Sequence, residues 1–146
     1  MLATQTTAPV RIKNILLATD FSDCSQRALS YATNLARHYG SNLRILHVFD
    51  PLSSENLDEV QRRAAEVANE RLNGIPHQLV LEVGDVFEVL KRCAEQNDVD
   101  LVVLGTHGRV GVSKLLEGSM AERVFRHVAS PVLTVGPLCS NSPGSR

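Results

Sequence analysis

Neither sign of charge dominates this chain. Its 146 residues carry 15 Lys and Arg against 16 Asp and Glu, a formal net charge of −1 at pH 7. A general nucleic-acid binder needs a basic surface to neutralise phosphates, so that class is disfavoured, although a local patch is compatible with the balance. Cysteine is scarce. Cys24, Cys93 and Cys139 are odd in number and far apart, which suits a reducing compartment better than a disulfide framework. No apolar run approaches the roughly 20 residues of a membrane-spanning helix. The opening stretch MLATQTTAPV lacks a basic start followed by a continuous apolar segment, so it does not read as a signal peptide. Metal-ligand spacing is missing among His38, His47, His77 and His127. These absences describe a soluble protein, cytoplasmic by default, with neither nucleic acid nor membrane as its expected partner.

What is present is a globular composition. Apolar residues make up 43% of the chain, close to the average for packed domains. Ile12 to Ala18 reads as a buried strand ending in Thr19-Asp20, and Asp23 with Gln26 three residues later resembles a capping box. Ala28, Ala32, Leu35 and Tyr39 continue at helical spacing to the stop at Gly40. Leu43 to Phe49 is a second strand. Leu57, Val60, Ala64 and Val67 line one face of a second helix, whose other face (Glu59, Arg62, Arg63, Glu66, Glu70) is solvated. Asn73-Gly74-Ile75-Pro76 ends it. Gln78 to Val83 is a third strand, less fully buried. Val86, Val89, Leu90, Cys93 and Ala94 make a third helix, and Leu101 to Leu104 a fourth strand. Ala121, Val124, Phe125 and Val128 make a fourth helix, and Val132 to Val135 a fifth strand after Pro131. Strands alternating with helices predict one open α/β domain, a parallel sheet covered on both faces with right-handed crossovers. We take the domain as residues 11–137, with short flexible termini at 1–10 and 138–146.

In such sheets ligands bind beyond the carboxyl ends of the strands, where strand order reverses. If the first strand lies beside the second and the fourth, two segments meet there: Ala18-Thr19-Asp20 and Leu104-Gly105-Thr106-His107-Gly108. Glycines let backbone approach a ligand, successive N–H groups can cup an anion, and Gly118-Ser119 opens a helix whose N-terminus favours negative charge. Asp20 would repel phosphate but accepts well from ribose hydroxyls. Glycines for phosphate beside an acid for sugar describe a nucleotide. Blander roles stand beside this one. Gly105 and Gly108 can shape a turn, Ser119 with Glu122 matches a capping box, and Asp20 can cap the first helix. The P-loop pattern and a GxGxxG after the first strand are both missing.

The spacing Gly105-x2-Gly108-x9-Gly118-Ser119 resembles the ATP-binding signature G-x2-G-x9-G-[ST] of the universal stress proteins. Ala18-Thr19-Asp20-Phe21-Ser22, Leu46-His47-Val48 and Ser130-Pro131-Val132-Leu133-Thr134-Val135 are similar to that family's other motifs. The likeness covers roughly residues 10 to 137. It implies a Rossmann-like sheet of order 3-2-1-4-5. It implies adenine near Ala18, Thr19 and Val48, with Asp20 toward the adenosine. Gly105, His107, Gly108, Gly118, Ser119 and Met120 would surround ribose and phosphates. Leu104 and Arg109 join the candidate nucleotide-binding residues, and Arg109 and Lys114 can either screen phosphate charge or be ordinary surface. ATP would come with Mg²⁺ or Mn²⁺, the protein alone supplying no metal site. A homodimer through the last strand, Val132 to Val135, is also implied. Ala18 stands where many members have proline, and Met120 where valine is frequent.

No committed catalytic apparatus is visible, so no catalytic residue is assigned and slow ATP hydrolysis is the most the chain is expected to show. A hydrolase needs a positioned base and a kinase needs metal-holding acids, whereas Asp20, His107 and Glu117 are isolated candidates. The leading expectation is an ATP-binding, homodimeric regulatory stress protein. The alternatives are a nucleotide-independent, chaperone-like interaction protein and a weak ATPase or phosphotransferase. A phospho-receiver domain is disfavoured: Gly84-Asp85 offers an acid after the third strand, but Gly136-Pro137 lacks the lysine required after the fifth.

Overall fold

The computed structural model describes residues 8–21, 25–49, 52, 54–96, 98–105 and 118–136, the side chains of residues 118–121 excepted. Five strands and four helices alternate along the described residues: β1 Asn14–Ala18, α1 Gln26–Tyr39, β2 Asn42–Phe49, α2 Leu57–Arg71, β3 His77–Val83, α3 Val86–Gln96, β4 Leu101–Gly105, α4 Gly118–His127 and β5 Val132–Val135. The strands form one parallel sheet in the order β3-β2-β1-β4-β5. The strand order therefore reverses between β1 and β4, as expected.

Both faces of the sheet are packed, which is why β1 and β4 read as unbroken apolar runs. Alternate residues divide between two cores. Ile15, Leu17, Leu43, Ile45, Leu101 and Val103 pack with Ala28, Leu29 and Ala32 of α1 and Val60 and Ala64 of α2. Leu16, Ala18, Leu46, Val48, Val102 and Leu104 face Val86, Val89, Leu90 and Cys93 of α3 and Val124 of α4. Gly40 stops α1 with φ at 66°, a left-handed position that glycine fills without strain. Asn56 caps α2 by accepting from the Glu59 amide at 3.0 Å. On the exposed side of α2, Arg62 pairs with both Glu59 and Glu66. The Arg62 hydrogen bond holds the Glu59 carboxyl below the usual carboxylate range.

Several expectations need correction. β1 begins at Asn14, two residues beyond Ile12, where pairing with β2 begins. Asp23, expected to cap α1, lies outside the described residues; Ser25 occupies the N-cap position, without a side-chain cap bond. Leu57 and Phe125, assigned to buried faces, are 49% and 51% exposed. Leu57 sits in the first turn of α2, and Phe125 follows the fully buried Val124 on the outward side of α4. α4 begins at Gly118, so Ser119 lies inside its first turn rather than at the cap. β3, at the sheet edge, is mostly half-buried or exposed, as its weaker apolar pattern predicts.

Candidate functional site

The crevice grows out of the carboxyl end of β1. Ala18 pairs with Leu46 on one side and Leu104 on the other, so β1 stops three residues short of the end of β2 at Phe49 and one short of the end of β4 at Gly105. Ala18, Thr19, Asp20, Leu46, Val48, Val86 and Leu90 enclose one hollow there. Four of the expected adenosine residues thus lie together, and Leu104-Gly105 closes the neighbouring side. Leu46, Val86 and Leu90 were not assigned to the site from sequence. Their signal was available: Val86 and Leu90 are four apart on the sheet-facing side of α3.

Gly105 ends β4. A Cβ built there would meet the Ala28 Cβ at 3.6 Å and the Val135 carbonyl at 4.0 Å, ordinary contacts. The described packing therefore does not demand glycine at this position. The backbone of Gly118, Ser119 and Met120 forms the opening turn of α4, where unpaired N–H groups gather. His107, Gly108 and Arg109, with Thr106, Lys114 and Glu117, lie outside the described residues. Asp85 is spent on structure, accepting from the Glu88 amide at 3.0 Å in the first turn of α3.

The β1 exit is held by a buried polar cluster that sequence reading missed. The Thr19 amide donates to the Leu46 carbonyl at 3.0 Å, and the Thr19 hydroxyl lies 3.1 Å from Ser25 Oγ. The Phe21 amide donates to Thr19 Oγ1 at 3.0 Å. Phe21 adopts φ of 59°, a left-handed conformation that costs a non-glycine residue about 1–2 kcal/mol. Its burial, with the ring 5.6 Å from that of His47, offsets the cost. His47 is 1% exposed. Its Nδ1 lies 2.9 Å from the Thr19 carbonyl and its Nε2 2.8 Å from Glu55 Oε2. One side chain thus ties the β1 exit to the residue preceding the α2 cap. The clue was a histidine inside the apolar run of β2.

Cys93 is buried at the base of α3, and burial pushes its thiol above the ordinary value, with nearby Arg92 opposing. Little thiolate then forms at neutral pH. Iodoacetamide at pH 7.5 is expected to label Cys93 slowly in the native protein and at least about tenfold faster in urea, read by peptide mapping. Rapid native labelling at this residue would contradict its buried setting. No group of three or more His, Cys, Asp or Glu side chains that could hold a metal is found among the described residues. Likewise, no described helix is long and apolar enough to cross a membrane.

Comparison with known proteins gives a consistent result. The chain is 31% identical over 148 residues to the universal stress protein MJ0531 of Methanocaldococcus jannaschii, covering 84% of this chain and 81% of the relative. The solved structure of MJ0577, from the same organism, superposes with a TM-score of 0.74 at 27% identity, covering 87% and 97% of the two chains. A universal stress protein solved in complex with cAMP superposes with a TM-score of 0.67 at 27% identity, covering 86% and 97%. The universal stress protein family description matches residues 11–136. With that match and the β3-β2-β1-β4-β5 sheet together, the chain belongs to the universal stress protein family.

Proposed function

We propose that this chain is an ATP-binding regulatory protein that works as a cytoplasmic homodimer in a stress response. One observation carries the reading. The spacing Gly105-x2-Gly108-x9-Gly118-Ser119 has its first glycine at the end of β4, next to Leu104, the partner of Ala18 in the hollow, and its last at the start of α4. Backbone amides from the glycine segment and the α4 N-terminus would take the phosphates, with Ser119 adding a hydroxyl. Val48 and Ala18 would pack the adenine, and Asp20 would accept from the ribose. His107, Gly108 and Arg109 complete the phosphate side, and Leu104 and Met120 the walls. Nucleotide binding by a relative, in the cAMP complex, supports the class of ligand. Mg²⁺ or Mn²⁺ would arrive on the phosphates, since Asp20 alone is a poor metal cage.

Mass spectrometry of gently purified protein tests this directly, with ATP or another adenine nucleotide as the expected passenger. Calorimetry with ATP and Mg²⁺ should give saturable binding. A chain giving no heat at millimolar ATP would instead fit the nucleotide-independent, chaperone-like reading. Turnover lost on replacing Asp20 or His107 would move the case to a weak ATPase or phosphotransferase.

Dimerisation through β5 has a specific test. The Val102 amide donates to the Pro131 carbonyl, so residues 131, 133 and 135 point their backbone groups at β4 while 132 and 134 point theirs outward. Thr134→Pro removes an outward N–H and leaves the β4 ladder intact. It is expected to weaken the dimer about tenfold or more by analytical ultracentrifugation, with nucleotide affinity unchanged. An unaltered dimer would place the interface elsewhere.

A further inference from the structure

The end of the sheet opposite the crevice holds a second recess. Asn14 and Asn42 are paired across β1 and β2, and Arg44 and Gln78 across β2 and β3. All four belong to the face packed by α3, since alternate residues Leu16, Leu46 and Val80 lie in that core. Asn42 and Gln78 are exposed there, and Asn14 and Arg44 half-buried. Here four polar side chains occupy the corner beyond the carboxyl end of α3, around a cavity of about 220 Å³ that His77 and Val99 also line.

The donors and acceptors of this corner do not balance. Asn42 Nδ2 lies 3.4 Å from Asn14 Oδ1, and Asn14 Nδ2 donates to the Asp98 carbonyl at 3.2 Å. The Asp100 carboxylate is occupied by the Lys13 and Asn14 amides at 2.8 and 2.9 Å. Glu82, further along the same face of β3, pairs with Arg92 at 3.0 Å. Among the described residues, no acidic side chain bridges to Arg44, which is half-buried. A half-buried guanidinium with no ion pair among the described residues has donors to offer, and its planar fork of N–H groups matches two oxygens of one anion.

We infer that this recess is a binding site for a small oxyanion, a phosphate or a short carboxylic acid, clasped by Arg44 with help from the Gln78 amide. The cavity limits the guest: sites for larger organic ligands run to roughly 300–1,000 Å³. His77 adds selectivity. Its Nδ1 donates to the Ile75 carbonyl at 2.8 Å, which fixes the ring at the cavity rim. The site shares no lining residue with the crevice.

The test is an amide and guanidinium NMR titration of the full chain at constant ionic strength, with sodium phosphate and sodium succinate in separate arms. Saturable shifts of the Arg44 Nε–H and the Gln78 side-chain amide are expected in at least one arm, with the Thr19 and Gly105 amides unmoved. The saturating arm names the ligand chemistry. Arg44→Gln should weaken that binding at least about tenfold, the loss of one charge-assisted pair. Gln78→Ala, at an exposed position, should weaken it severalfold and serves if Arg44→Gln fails to fold. Shifts that rise linearly in both arms, or that persist in both variants, overturn the assignment.

Discussion

Replacing Gly118 with valine is expected to reduce ATP affinity by about tenfold to a hundredfold, with helix content and melting behaviour close to wild type. The reasoning is local. Gly118 is the first residue of α4, where backbone N–H groups have no partners inside the helix. A hydrogen bond from such a group to a charged phosphate contributes about 1.5–3 kcal/mol, so blocking one costs one to two decades in Kd. Valine is tolerated in a first helical turn, so the fold should not pay for the change. Gly105→Ala is the companion measurement. Because an added Cβ meets only ordinary contacts there, stability should move by less than about 1 kcal/mol. Any loss of ATP binding in that variant then reports on the ligand rather than on packing. Calorimetry on the two variants and wild type decides it. Undiminished binding in both would remove the glycine segment from the site.

The second large effect concerns stability. His47→Ala is expected to destabilise the protein by about 2–4 kcal/mol, combining an internal void with loss of hydrogen bonds to two buried or half-buried oxygens. With typical slopes of about 1–3 kcal/mol per molar urea, the midpoint should fall by about 1–2 M. Asparagine and glutamine at position 47 separate the two contacts, the first reaching toward the Thr19 carbonyl and the second toward Glu55. If His47 anchors the β1 exit, His47→Asn should retain more nucleotide affinity than His47→Gln. A midpoint within 0.2 M of wild type in His47→Ala, roughly 0.5 kcal/mol, would mean that the cluster carries no weight.

The fold was readable because its strongest signals are periodic. β1 and β4 are apolar without alternation, which only burial on both faces explains, and α3 shows buried residues at each expected position. Boundaries and single faces were less secure. Phe125 is apolar and sits beside Val124, yet a helix turns about 100° per residue, so one is fully buried and the other half exposed. Leu57 fits the spacing of α2 but lies in its first turn, at the margin of the sheet. At the site, Ala18, Thr19, Asp20 and Val48 were placed together from motif resemblance, and they line one hollow. The His47–Glu55 link was not readable, because it joins a strand to a loop and follows no periodic spacing. Arg44 escaped notice for a related reason: a lone charge inside a strand looks like an edge residue until the neighbouring strands are in place.

The strand order carries a consequence for biosynthesis. β1 is made first yet ends in the middle of the sheet, flanked by β2 on one side and by β4 on the other. A nascent chain can zip β1, β2 and β3 into a half-sheet while the ribosome is still short of Leu101. The seam between β1 and β4 closes afterwards, before β5 can add to the far side of β4, and the mouth where adenosine would dock is born with that seam. A guest seated there would bind only the finished product, and so would pull maturation toward completion.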